Sequence, residues 1–184
     1  MVADPLAWET LSSETAYTCP GFDVVQEDVR LPDGTETDFD YLSEPPAVVI
    51  LPFTRDGDVV IIEEWRQAVD RMNRGLPAGT TEPDDDDFAA AARRELAEET
   101  GYGADRIEHL ETVEPANGVA NAVHHHYIAH GCTPTGEQEL DHDETIRVST
   151  VPFDEVYADV LAGDVRDGRM ALAVLTYAAT ERNA

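Results

Sequence analysis

The sequence contains no lysine, few other basic residues and only two cysteines. Its 184 residues include 12 basic side chains, all arginine, against 39 acidic ones, which gives a formal net charge of -27 at pH 7. A surface this negative repels phosphate backbones and anionic lipid headgroups, so it argues against a nucleic-acid-binding or membrane-surface protein. Cys19 and Cys132 lack metal-ligand spacing, and reduced thiols of a cytoplasmic protein are the simplest interpretation.

Long apolar runs are also missing. No stretch approaches the roughly 20 apolar residues that a membrane helix needs, and residues 1–15 lack the basic cluster of a signal peptide. The hydrophobic fraction of 42% is ordinary for a folded core, which excludes a disordered acidic tail. We interpret the acidic, lysine-free composition as halophilic, so most carboxylates are expected to serve solvation in concentrated salt.

The order of apolar and polar stretches predicts one main domain with a small N-terminal extension. Alternating residues around the turn Pro32-Asp33-Gly34 predict a small antiparallel β-sheet within residues 1–44. Residues 45–184 then show strands, one helix, further strands and two helices, which predicts an α/β domain with a mixed sheet and helices on its faces. The polar residues 67–74 are predicted to form a loop.

The clearest helix is predicted over residues 88–100, which are rich in Ala, Leu, Arg and Glu. The acidic stretch of residues 84–87 supplies a carboxylate for its N-cap, and Gly101 supplies the left-handed residue that ends it. On this helix Glu95, Glu98 and Glu99 stand at i, i+3 and i+4 and share one face.

A carboxylate cluster on one helix face has two interpretations. It supplies the hard oxygen ligands that Mg²⁺ or Mn²⁺ requires, or it is a solvated acidic face in a very acidic chain. Arg94 lies four residues before Glu98 and can hold its carboxylate in place. Spacing alone does not separate the two interpretations.

The surrounding sequence resembles the signature of the Nudix hydrolases. That signature runs Gly, five residues, Glu, seven residues, and then Arg-Glu-apolar-x-Glu-Glu-x-Gly-apolar. Residues 94–102, Arg-Glu-Leu-Ala-Glu-Glu-Thr-Gly-Tyr, match its C-terminal half at every specified position. The N-terminal half begins at Gly79, but one extra residue lies in the acidic stretch Glu82 to Asp87. Either Asp85 or Asp86 can therefore fill the position of the first carboxylate.

The resemblance extends over most of the chain to the ADP-ribose pyrophosphatase branch of this family. The segments that carry it are residues 29–34, 48–52, 62–66, 76–79, 143–148 and 163–167. The resemblance implies a Nudix α/β/α sandwich preceded by a small antiparallel sheet that serves homodimerisation. It also implies metal-dependent hydrolysis of a nucleoside diphosphate linked to another moiety, with conversion of ADP-ribose to AMP and ribose 5-phosphate as the best single expectation.

The same resemblance implies roles for individual residues. The implied catalytic residues are Arg94, Glu98, Glu99 and Glu144; the metal ligands are Glu95, Glu98, Glu99 and the carbonyl of Ala78; the substrate-binding residues are Arg66, Gly79 and Gly118. A guanidinium at Arg66 suits phosphate oxygens, although an ordinary surface ion pair is the alternative. Glu144 lies in an acidic loop that can bring a base to the metal or the water, and Glu137, Glu139, Asp141 and Asp143 lie near it.

Two departures from the branch leave the substrate open. Gly75 stands where the branch often has Glu, and the loop of residues 114–118 displaces a marker proline. Other nucleotide sugars therefore remain alternatives, as do nucleoside triphosphates and dinucleoside polyphosphates. A Nudix module that only binds a nucleotide is the rival of a different class, and a plain acidic structural protein would leave the ordered match unexplained.

We do not expect the run His124-His125-His126 to bind a metal. Nor do we expect two aromatic residues to stack on a nucleobase. On a strand, His124 and His126 face one side and His125 the other. We expect hydrogen-bonded strand histidines or a substrate contact rather than a metal site. Trp65 and Tyr127 can stack on a base, but core positions are expected for both.

Overall fold

The computed structural model describes residues 4–142 and 144–181. Asp143, one of the acidic residues near Glu144, lies outside the described residues. The chain divides into two compact units, Met1–Pro46 with Glu114–Val123, and Ala47–Val113 with His124–Ala184. Within the described part of the chain, no helix combines the length and the apolar character that a membrane span requires.

The first unit is built on a three-stranded antiparallel sheet. Its strands, in spatial order, are β1 (Glu9–Cys19), β2 (Phe22–Arg30) and β3 (Glu36–Ser43). Gly34 takes a φ of 88° in the turn between β2 and β3, where the sequence predicts it. Strand β1 begins at Glu9, among N-terminal residues that show no clear alternation of apolar and polar side chains. It is exposed along nearly its whole length, so no apolar alternation reveals it.

The second unit contains a mixed sheet of eight strands and three helices. The strands are β4 (Ala47–Thr54), β5 (Asp58–Arg66), β6 (Arg71–Gly75), β7 (Ala78–Thr80), β8 (Tyr102–Gly103), β9 (Arg106–Val113), β10 (His124–Pro134) and β11 (Ile146–Pro152). The helices are α1 (Phe88–Thr100), α2 (Phe153–Ala162) and α3 (Gly168–Glu181). Strands β4 and β10 pair in parallel and the remaining pairs are antiparallel.

Helices cover both faces of this sheet. Successive residues of β4 point to opposite faces, so Val48 and Ile50 pack with Leu96 of α1. Val49 and Leu51 pack on the other face with residues of α2 and α3. The expected α/β/α sandwich is confirmed, with α1 on one face of the sheet and α2 and α3 on the other.

Residues 67–74 differ from the predicted loop. A short 3-10 turn, Gln67–Val69, leads into strand β6, which pairs with β5. The side chains of β6 are mostly polar and show no apolar alternation, so the sequence does not predict a strand there. Pairing with β5 determines its extended conformation. Trp65 is 48% exposed, so its expected core position is wrong, whereas the core position of Tyr127 is confirmed.

Candidate active site

Caps at both ends fix the position of α1. The Asp87 side chain accepts a hydrogen bond from the backbone N–H of Ala90 at 2.8 Å, and Gly101 ends the helix with a φ of 72°. The N–H of Gly101 donates to the carbonyl of Ala97 at 2.8 Å. These local signals set where α1 begins and ends.

That face lines a cavity of about 300 Å³ in the second unit. Glu95, Glu98 and Glu99 enter it from α1, and Gly79 borders it from β7. The loop between β10 and β11 adds further carboxylates, those of Glu139, Asp141 and Glu144. The structure therefore brings the helix cluster and the acidic loop to one place, as expected from the resemblance.

Arg94 is the cation at the centre of these carboxylates. Its Nη1 donates to Glu95 at 2.8 Å and to Glu98 at 2.9 Å, and its Nη2 donates to the carbonyl of Thr80 at 3.0 Å. Its Nε and Nη2 bind both oxygens of Asp85, at 3.2 and 3.0 Å. Hydrogen bonding to Asp85 raises the pKa of Arg94 above its usual value. Arg94 thus orients two glutamates through Nη1, while Nε and Nη2 anchor the guanidinium to Asp85 and Thr80.

The pairing with Arg94 distinguishes the two candidates for the first carboxylate. Asp85 follows Gly79 after five intervening residues, and its side chain is 9% exposed. The hydrogen bond from Arg94 lowers the pKa of Asp85. Asp86 is exposed. The extra residue of the signature therefore lies between Asp85 and α1, and the loop absorbs it there.

Asp85→Asn is expected to lower the melting temperature by about 2–4 °C, the change that a loss of about 1 kcal/mol gives in a chain of this size. The neutral amide keeps the shape but loses the charge-assisted pair with Arg94. Asp86→Asn is the matched control and should leave the melting temperature unchanged. Calorimetric scans of both variants measure the effect, and equal shifts would contradict the assignment of Asp85.

Close approach between α1 and β7 positions the two most buried glutamates of α1. The backbone N–H of Ala78 donates to Oε2 of Glu99 at 2.9 Å, and Glu99 is 4% exposed. A Cβ atom on Gly79 would overlap the carboxylate of Glu95. Glycine at position 79 is therefore what allows Glu95 to lie against β7.

Burial shifts the pKa values of Glu95 and Glu99 well above those of exposed glutamates. Burial raises the pKa of Glu95 to about 7, with partial compensation by Arg94. Burial also raises the pKa of Glu99 to about 8, and the neighbouring Glu95 and Glu144 add repulsion. Crowded carboxylates that resist ionisation are the chemical environment that a divalent cation stabilises.

The donor set fits a hard divalent cation. Arg94 engages Oε1 of Glu95 and Oε2 of Glu98, one oxygen of each carboxylate. Among the described residues, however, no three His, Cys, Asp or Glu side chains are already arranged as a ligand shell. Metal binding at this cluster therefore requires carboxylate rotation around the position that Arg94 fixes.

The stability of the metal-free protein is expected to peak near about pH 4.5, because above that pH the losses at two glutamates outweigh the gain at one histidine. The contributions of Glu95 and Glu99 are fully present below pH 4.5 and are lost as the pH rises through their folded-state pKa values of about 7 and about 8. Burial lowers the pKa of His126 from 6.5 to about 4, so its contribution is lost as the pH falls through that range.

Melting temperatures in EDTA between about pH 4 and pH 9 measure this profile. Glu99→Gln should make the fall in melting temperature on the alkaline side of the maximum (the alkaline limb) less steep, because the amide does not ionise. An alkaline limb of unchanged slope in that variant would contradict the contribution of Glu99.

Hydrogen bonds dock the acidic loop against the C-terminal end of α1. Nε2 of Gln138 donates to the carbonyl of Glu99 at 2.6 Å, and the N–H of Glu139 donates to the carbonyl of Glu98 at 2.9 Å. Further along, the carboxylate of Glu144 accepts from the N–H of Asp141 at 3.0 Å. The backbone and side-chain contacts of the loop thus hold Glu144 at the cavity.

Two of the predicted substrate residues do not line the cavity. Gly118 belongs to the first unit. Arg66 ends β5 and pairs with Glu64, a buried carboxylate that the sequence analysis did not identify as a site residue. Burial raises the pKa of Glu64, and Arg66 partly offsets this effect. A signal for Glu64 was present in the sequence, since it continues the buried, apolar strand β5.

The histidine run is arranged on opposite faces of β10 as expected. His126 is completely buried, and His125 stacks on Phe88 with 3.8 Å between ring centroids. Neither ring nitrogen of His126 has a hydrogen-bond partner within the described part of the chain. The expectation of a hydrogen-bonded strand histidine is therefore wrong for His126, whose ring is buried without such a bond.

Comparisons with known proteins agree with this geometry. A model of the NUDIX domain matches residues 43–172. An ADP-ribose pyrophosphatase of Bacillus subtilis (strain 168) is 29% identical over 167 residues, which cover 90% of each chain. A GDP-mannose pyrophosphatase of Yersinia pestis (strain Pestoides F) is 32% identical over 72% of this chain and 69% of its own. A crystal structure of an ADP compounds hydrolase shares the fold, with a TM-score of 0.83, 22% identity and coverage of 96% and 95% of the two chains.

Proposed function

Since the chain belongs to the Nudix family, we propose that this pyrophosphohydrolase cleaves the diphosphate of ADP-ribose and releases AMP and ribose 5-phosphate. The observation that carries the proposal is the convergence of the α1 glutamates with Glu144 on one cavity. Similarity to a relative named ADP-ribose pyrophosphatase over 90% of the chain supports the choice of substrate. Similarity to a GDP-mannose pyrophosphatase keeps other nucleotide sugars as the second candidate.

The proposed cofactor is Mg²⁺ or Mn²⁺, held by Glu95, Glu98, Glu99 and the carbonyl of Ala78. When bound, the cation supplies the positive charge that neutralises phosphate oxygens during attack by water. Arg94 orients Glu95 and Glu98 towards it. The local charge of cation and arginine then lets a chain of net charge -27 accept an anionic substrate.

Glu144 is the proposed general base. Its carboxylate lines the cavity and is held by the N–H of Asp141. In the proposed step it accepts a proton from the attacking water, whose oxygen forms a bond to one phosphorus. The bond from that phosphorus to the bridging oxygen breaks, and the second phosphate leaves. Arg66 is assigned to the diphosphate, and Gly79 and Gly118 are proposed as further substrate contacts.

The first unit supports a proposed homodimer. Trp8, Leu11 and Tyr17 are large apolar side chains on or beside β1, and all three are exposed. Apolar residues exposed on one strand mark a surface that a partner can cover. Sedimentation equilibrium in molar salt should give the mass of two chains. The lysine-free composition supports a halophilic, cytoplasmic setting for that assembly.

The test of function is product release from a substrate panel in molar salt with Mg²⁺ or Mn²⁺. The panel contains ADP-ribose, GDP-mannose, other nucleotide sugars, nucleoside triphosphates and dinucleoside polyphosphates. AMP and ribose 5-phosphate from ADP-ribose, at the highest kcat/KM of the panel, is the expected result. Tight nucleotide binding without turnover of any member would instead favour a binding module.

A further inference from the structure

Strand β5 ends with two consecutive glutamates in opposite environments. Glu63 pairs with Arg147 at 3.4 Å, and the side chains of this pair are 39% and 74% exposed. Glu64 points to the other face of the sheet and is 8% exposed. A buried carboxylate is costly unless a charged or hydrogen-bonding partner compensates for the lost water. The burial of Glu64 therefore requires a structural explanation.

Neither register partner of Glu64 on the neighbouring strands is a cation. Its register partners are Asn73 on β6 and Ile146 on β11. Asn73 is engaged elsewhere, because its Nδ2 donates to Asp167 at 3.0 Å and its Oδ1 accepts from Arg71 at 3.2 Å. Ile146 follows the acidic loop, two residues after Glu144. Glu64 thus lies where the loop of the cavity joins the sheet.

The partner of Glu64 is Arg66, two residues further along the same strand. Residues i and i+2 of a strand share a face, and Oε1 of Glu64 forms an ion pair with Nη2 of Arg66. This oxygen has no hydrogen-bond partner in the described part of the chain, so the ionic contact with Arg66 is its main compensation, to which the charge of Arg169 adds. The Arg66 side chain is 39% exposed and therefore remains accessible at the end of β5.

We propose that Glu64 is a positioning residue, which holds the guanidinium of Arg66 ready for the diphosphate of the substrate. A guanidinium has five N–H donors, and the pair with Glu64 uses the Nη2 end, which leaves Nε and Nη1 for phosphate oxygens. A free arginine loses up to about 2 kcal/mol of side-chain entropy when it is fixed. Glu64 removes much of that cost before the substrate binds.

Stability alone does not account for the pair. Replacing a buried ion pair by apolar residues is often neutral or stabilising, because the desolvation of two charges offsets their attraction. An apolar residue at position 64 would also continue the buried run of β5 from Val59 to Ile62. The carboxylate therefore has a role in orientation. This inference rests on the proposed function only through the assignment of Arg66 to the diphosphate.

The test compares Glu64→Leu, Glu64→Gln and the matched control Glu63→Gln in the full chain with Mg²⁺. Glu64→Leu should raise the KM for ADP-ribose about tenfold, the effect of losing one charge-assisted contact, with kcat within about threefold and an equal or higher melting temperature. Glu64→Gln keeps a partly negative oxygen beside Arg66 and should recover part of the loss. Glu63→Gln should match the wild type.

A double-variant cycle identifies the route of the effect. In an Arg66→Ala background, Glu64→Leu should change KM by less than about twofold, because its partner is already absent. A tenfold change in that background, or unaltered KM in the single variant, would overturn the inference. A loss of activity that is accompanied by a lower melting temperature would also overturn the inference, because unfolding would then explain it.

A binding measurement separates this inference from the proposed substrate. The dissociation constant of α,β-methylene-ADP, a diphosphate that is not hydrolysed, should rise about tenfold in Glu64→Leu, whereas that of AMP should not change. This result would support the positioning role even if the wild type hydrolyses no nucleotide sugar. Hydrolysis of ADP-ribose by the wild type, with equal diphosphate affinity in both proteins, would overturn the role of Glu64 alone.

Discussion

Glu98→Gln and Glu99→Gln are each expected to lower kcat for ADP-ribose by about 10³-fold or more, beyond the roughly 10–100-fold cost of losing a group that only orients a metal ligand. An amide has nearly the volume of the carboxylate, but it carries no charge to hold a divalent cation. The amide oxygen at position 99 can still accept from the N–H of Ala78, a contact of 2.9 Å in this structure. The fold should therefore survive. AMP release and melting temperature, measured together, test this expectation.

The control for this pair is Glu155→Gln. Glu155 is an exposed carboxylate on α2 of the same unit and does not line the cavity. Its replacement removes one negative charge from the surface and should leave kcat unchanged. Near-wild-type rates in both α1 variants would show that these carboxylates are not required for catalysis. Equal losses in all three variants would point to a general effect of charge.

Gly79→Ala is expected to reduce kcat/KM by about 100-fold, the penalty that a displacement of about 1 Å imposes on a reacting geometry. The new Cβ would overlap the carboxylate of Glu95, so either Glu95 or strand β7 must move. Both movements would disturb the proposed cation site, because Ala78 and Gly79 are neighbours in β7. Steady-state kinetics and calorimetric titration with Mn²⁺ measure the two consequences, lower kcat/KM and weaker metal binding.

Gly168→Ala is the matched control for the added methyl group. No atom lies within 4 Å of a Cβ built at Gly168, where α3 begins. Alanine there should leave kinetics unchanged and can slightly raise stability, since it restricts the unfolded chain. If Gly79→Ala bound Mn²⁺ and turned over substrate like the wild type, the close approach of Glu95 to β7 would not be required for activity.

Local signals explain why parts of this fold are predictable from the sequence. The bounds of α1 follow from a capping aspartate, a run of helix formers and a glycine in the left-handed region. Each of these signals acts on backbone groups within a few residues of its own position in the chain. The same is true of the turn at Gly34. The spacing of the three α1 glutamates then places them on one face whatever the rest of the chain does.

Other features depend on contacts between distant residues and could not be predicted in this way. Whether Asp85 or Asp86 occupies the first carboxylate position depends on which one the guanidinium of Arg94 binds. Strand β6 depends on its ladder with β5. The burial of Glu64 depends on the residues across two neighbouring strands. Local pattern contains none of this information.

The docking of the acidic loop on α1 has a thermodynamic consequence. The two main-chain carbonyls that accept the hydrogen bonds of the loop belong to Glu98 and Glu99, whose side chains face the cavity. Docking of the loop and occupancy of the cluster by the proposed cation are therefore expected to be linked equilibria. Linkage is reciprocal, so any factor by which a bound cation favours the docked loop is the factor by which a docked loop tightens cation binding. Placement of Glu144 at the cavity and binding of the cation would then be cooperative.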